Sequence, residues 1–102
     1  MIHITVSMYH YFAASTPAAV GLILAERRRH RNLSPAELGR MCGAAASEIS
    51  RLEEGRWVPS PSQAWSLAQV LGLEPEAFAA WSIRQLLFRP ELLAEHVLPI
   101  AA

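Results

Sequence analysis

The sequence contains no aspartate, no lysine and only one cysteine. A single cysteine rules out an intramolecular disulfide framework and a metal site made of cysteine alone. Cys42 falls on the apolar side of a helical pattern, where a small buried thiol is the ordinary reading. Without aspartate, every acidic side chain is a glutamate. The adjacent pair Glu53 and Glu54 would point about 100° apart on a helix, so they do not form an acid–base pair. No glycine-rich phosphate loop appears, and His3 and His10 have no ligand partners at metal-binding spacing. The sequence therefore predicts no enzyme activity, no metal and no cofactor. No apolar run approaches the roughly 20 residues of a membrane span. The first residues lack the positive region of a signal peptide. A cytoplasmic protein with no membrane partner is expected. Abundant arginine and alanine without lysine suggest a GC-rich bacterial or phage genome, which is a statement about codons alone.

Nine arginines balance nine glutamates, so the formal net charge is zero. That balance argues against indiscriminate coating of nucleic acid. The charges are nonetheless segregated, with Arg27, Arg28, Arg29, His30 and Arg31 in one run. The 102 residues suffice for one domain. Their 52% apolar content exceeds what one small core hides, so an oligomer is expected.

The stretch from Leu33 to Gly55 organises the rest. Ser34 can cap a helix, Pro35 suits its first position, and Glu37 completes a capping box. Leu38, Met41 and Cys42 repeat at helical spacing, and Gly43 stops the helix. Gly39 leaves little bulk, so a second helix could cross close to it. That helix, about Ala46 to Glu54, turns Ile49 and Leu52 inward and ends at Gly55. Two short helices joined by a glycine-containing turn form the helix-turn-helix unit, whose second helix enters the DNA major groove. The outward side of that helix holds Ala46, Ser47, Ser50, Arg51 and Glu54.

These residues carry a resemblance. Leu33-Ser34, Glu37-Leu38, Gly43, Ile49-Ser50-Arg51, Glu53, Gly55, Pro59-Ser60, Leu67-Ala68 and Leu71-Gly72 resemble the Cro/C1-type, lambda-repressor-like DNA-binding domains over roughly Val20 to Trp81. The resemblance implies base-reading positions at Ala45, Ala46, Ser47 and Arg51, with Ser50 beside them. Arg51 is the best reader, because a guanidinium can engage guanine O6 and N7 together. Ala45 and Ala46 offer only methyl contacts. Glu48 could accept from cytosine N4, favour the helix start, or pair with Arg51. Arg56 and, more weakly, Arg28 are expected at phosphate. The chain departs from the family at three places. Arg27 replaces an apolar residue, Pro35 replaces a phosphate-contacting glutamine, and Asn32 stands where glycine is common.

On either side of the motif, residues 1–16 read as an arm with one short strand, since Ile2, Ile4, Val6 and Met8 alternate with polar positions. Residues 17–81 read as the DNA-binding domain. Its first helix follows the cap Thr16-Pro17 and buries Val20, Ile23 and Leu24. A fourth helix is expected from about Ser62 to Leu71, and a fifth from Pro75. Trp57 and Trp65 are expected in core or interface packing. Residues 82–102 read as a C-terminal helical extension, divided by Pro90 and apolar on all sides, which suits dimerisation.

The expected fold is all-α, a lambda-repressor-like five-helix domain with a helix-turn-helix, a short N-terminal strand and a C-terminal helical extension. The expected function is a sequence-specific transcriptional regulator of double-stranded DNA, most simply a homodimeric repressor on a palindromic operator. One rival reading is the antitoxin of a toxin–antitoxin pair, a protein-binding module with a toxin as its partner; a second is a helix-turn-helix fold that has lost DNA binding, which the small side chains at Ala45 and Ala46 permit.

Overall fold

The computed structural model describes residues 15–88. The N-terminal strand and the sixth helix expected after Pro90 lie outside the described residues. Five helices follow in order: α1 Pro17–His30, α2 Pro35–Cys42, α3 Ala46–Glu53, α4 Pro61–Leu71 and α5 Pro75–Phe88. No strand occurs among the described residues.

Three helix starts share one chemistry. Thr16, Ser34 and Ser60 each accept from the third following residue's backbone N–H, and each precedes a proline at the first helical position. The proline has no N–H to leave unpaired at a position with no intrahelical acceptor. α4 thus starts at Pro61, one residue before the expected Ser62. Gly43 caps α2 at φ +74°, in the left-handed region where a side chain would be strained. Asn32 takes a similar conformation at φ +56° in the α1–α2 connection, as its place in the family pattern implied.

The helices surround one core. Val20 and Leu24 of α1, Leu38 and Cys42 of α2, and Ile49 and Leu52 of α3 meet Leu67, Leu71, Phe78 and Trp81 of α4 and α5. Trp57 from the α3–α4 loop is wholly enclosed in that core. Phe78 and Trp81 stack with ring centroids 5.5 Å apart, and the Trp81 indole donates to the Ser15 carbonyl at 3.2 Å. Cys42 is buried, and that burial pushes its thiol pKa up, as suits an inert packing residue.

Some expected packing differs. Met41 shares the α2 spacing but is 54% exposed, because Leu38 and Cys42 already fill that helix's inner face. Ile23 is only half-buried, since α1 turns Gly21 and Ala25 toward the core instead. Trp65 remains 41% exposed on the outer side of α4, whereas Trp57 met the core expectation. α5 passes without a break through residues 81 and 82 and ends its described length at Phe88.

Candidate nucleic-acid interface

The helix-turn-helix unit is α2, the turn Gly43-Ala44-Ala45, and α3. Gly39 makes the turn tight. A Cβ on Gly39 would lie 2.3 Å from the Ala44 carbonyl oxygen, so the close partner is the turn backbone and not the second helix. From outside the unit, Gln63 of α4 donates through Nε2 to the Gly43 carbonyl at 3.1 Å. The first turn of α4 thereby holds the turn between α2 and α3.

α1 sets the far end of α3. A Cβ on Gly21 would lie 2.4 Å from the Glu53 carbonyl oxygen and 2.6 Å from that of Leu52. Only glycine allows the α1 backbone to touch the last turn of α3. One helical stretch further on, Arg28 grips Glu53 with both arms: Nε to Oε2 at 2.6 Å and Nη2 to Oε1 at 3.0 Å. Its Nη1 donates to the Leu33 carbonyl at 2.8 Å. The pair is only 11% and 12% exposed, and the Glu53 carboxylate raises the Arg28 pKa above its ordinary value. This bidentate, mostly dehydrated pair fixes geometry more than a surface pair would.

With α3 so held, Ile49 and Leu52 are buried and the opposite side faces out. Ala45, Ala46 and Ser47 are exposed at its start; Ser50 and Arg51 are half-buried further along. Glu48 folds back, its Oε1 accepting from the Ala45 N–H at 3.0 Å. That contact is the helix-start use, one of those open to it in the sequence. Arg56 follows α3 and is exposed, paired with Glu54. The two adjacent glutamates diverge: Glu53 turns inward to Arg28 and Glu54 outward to Arg56.

The basic run of α1 divides its tasks. Arg28 is engaged as described. Arg27 Nη1 donates to the Leu71 and Gly72 carbonyls at 3.2 and 3.1 Å, capping the C-terminus of α4. The Arg31 guanidinium lies over Gly72, where an added Cβ would come within 2.6 Å of its Nη2. Cations at a helix C-terminus meet its negative dipole end and its unpaired carbonyls. This is what the family's apolar position does here: Arg27 ties α1 to α4 by its charged tip instead of packing against it. Arg29 and His30 are exposed. No local pattern signals the Arg27 contacts, which join residues 44 and 45 positions apart.

A half-buried, clamped second helix with an outward start, following a glycine turn, defines a helix-turn-helix domain. The chain belongs to the helix-turn-helix domain family, whose pattern matches residues 19–81, as the Cro/C1-type resemblance implied. No curated protein and no solved structure shows significant similarity to the chain. Among the described residues, no helix is long and apolar enough to cross a membrane.

Proposed function

We propose that the chain is a sequence-specific regulator of transcription that binds double-stranded DNA as a homodimer and represses by occupying a palindromic operator. The observation that carries this reading is the presentation of α3: its inner face is buried, its last turn is clamped by Arg28 and Gly21, and its start stands clear of the core. A helix held this way can enter a major groove as a rigid probe. Arg51 reads guanine; Ser47 and Ser50 adjust to either partner; Ala45 and Ala46 meet thymine methyl groups. Arg56 serves phosphate. Arg28 acts by holding α3, since its N–H groups face Glu53 and Leu33.

Selection of bound sequences from a random duplex pool tests the reading. Enrichment of one palindrome is the expected result and gives the half-site spacing directly. A pool that stays random after repeated selection overturns it.

One observation favours a second reading. From Leu33 to Ser60 the unit has three arginines against four glutamates. A unit whose charges are so balanced in sequence gains little from phosphate attraction. An antitoxin, which binds a protein and uses DNA contact secondarily, tolerates that balance. Co-purification of the chain with a toxin encoded beside it distinguishes the two.

A further inference from the structure

Glu54 is hard to explain by the stability of its own helix. It is the C-cap residue of α3, where a carboxylate faces the negative end of the helix dipole. Its carboxylate instead receives Arg56: Oε1 accepts from Nη2 at 2.6 Å and from Nε at 3.0 Å. Both side chains are more than half exposed. An exposed pair of this kind is weak and exchangeable, unlike the enclosed Arg28–Glu53 pair one residue earlier. The Arg56 backbone N–H donates to the Arg51 carbonyl at 2.8 Å, so the side chain starts from a fixed point beside the reading helix. Elsewhere on the unit, Glu37 and Glu48 already accept from the backbone N–H groups at the starts of α2 and α3. Arg56, the phosphate cation of the reading above, is therefore a side chain whose guanidinium the chain already holds with a carboxylate of its own.

We propose that Glu54 is an internal counter-ion, holding Arg56 in the free chain and giving it up to a DNA phosphate, so that Glu54 sets how tightly duplex DNA is held. The inference rests on the DNA-binding reading above. A phosphate oxygen offers Arg56 the same acceptor chemistry as the Glu54 carboxylate. Binding must break the pair and leave a carboxylate near the DNA backbone. Glu54 thus lowers affinity for every sequence alike, and base contacts from α3 supply a larger share of the affinity that remains. On a neutral chain, this trades general adhesion for discrimination.

The test is the affinity of the full chain for a mixed-sequence duplex about three helical turns long, at low salt, read by fluorescence anisotropy. Four chains are compared: the natural one, Glu54→Gln, Arg56→Gln and the double variant. Glu54→Gln should bind about threefold to tenfold tighter, in keeping with release of one exposed pair and one repulsive charge. Arg56→Gln should bind more weakly than the natural chain. Once Arg56 is gone, the gain from Glu54→Gln should shrink to less than half, since only the repulsive charge is then relieved and no pair is left to release. Equal or weaker binding by Glu54→Gln overturns the proposal. So does a gain that persists in full without Arg56, because Glu54 then acts by general repulsion alone. If the natural chain and every variant leave the duplex unbound and the random pool also yields no enriched sequence, the DNA-binding reading falls and this inference with it. That result is distinct from natural binding without a gain.

Discussion

Arg28 and Arg56 carry the same guanidinium in opposite surroundings. Arg28 is enclosed and holds two elements with three hydrogen bonds; Arg56 is exposed and held by one neighbour. Their substitutions should therefore differ in kind. Removing Arg28 leaves the Glu53 carboxylate mostly dehydrated and unpaired, and leaves the Leu33 carbonyl without that donor. Arg28→Ala should cost about 2–4 kcal/mol of stability. Replacing Glu53 by leucine in the same chain should restore part of that loss, because an apolar pair needs no counter-charge. Urea unfolding of the single and double variants checks both statements. Arg51 is half-buried on α3. Arg51→Ala should leave the fold intact, cost about 1–3 kcal/mol of binding to the selected operator, and relax preference at one base pair per half-site. Titration against a panel of single-base operator changes reads this out; full retention of base preference would remove Arg51 from the reading set.

At the scale of the element, α2 shows which features the sequence makes readable. The Ser34–Glu37 capping box and the Gly43 stop are local, and both stand where the spacing predicts them. The same holds for the Thr16 cap of α1 and for the order of the five helices. Contacts between distant positions were not readable. Arg27 reaching the end of α4, Gly21 meeting the carbonyls of α3, and Gln63 holding the Gly43 carbonyl all depend on how the helices pack. Met41 shows the limit of periodicity itself, since an eight-residue helix has room inside for two large side chains of the three at that spacing. The capping box also has a pH signature. Acceptance from the Ser34 backbone and hydroxyl side favours the ionised Glu37 and lowers its pKa below the ordinary value of 4.5. A group with a lowered folded pKa contributes its stability above the unfolded value and loses it as pH falls through the folded one. The stability advantage of the natural chain over Glu37→Gln should thus be constant near neutral pH and shrink below about pH 4.5. Thermal unfolding of both chains across acid pH measures it, and a difference that does not change with pH would show that the charge has no part in the cap.

At the scale of the molecule, the described residues leave apolar surface on α5 away from its buried side. The inner side, Phe78, Trp81, Ser82 and Gln85, is buried, and Ser82 Oγ donates to the Pro59 carbonyl at 2.6 Å. On other sides Ile83, Leu87 and Phe88 are 47%, 73% and 76% exposed. Ile83 and Leu87 are one helical turn apart and form a short stripe that leads toward residues 89–102, where the sequence continues with Leu92, Leu93, Val97 and Leu98. A second copy meeting this stripe across a two-fold axis would match a palindromic site, because each copy then offers one α3 to successive grooves. The expected outcome is a dimer of the full chain at micromolar concentration, measured by sedimentation. Ile83→Glu with Leu87→Glu should give a folded monomer, since both side chains point away from the buried side of α5. A chain ending at Phe88 should also fold and be monomeric. One ending at Ser82 would be a poorer test, because it removes the buried Gln85 along with the stripe. Each monomeric form should bind the selected operator more weakly by on the order of a hundredfold or more, as its half-sites are then engaged one at a time. A monomeric full chain would end the dimer proposal, whereas a dimeric chain lacking residues 89–102 would place the contact on α5 alone.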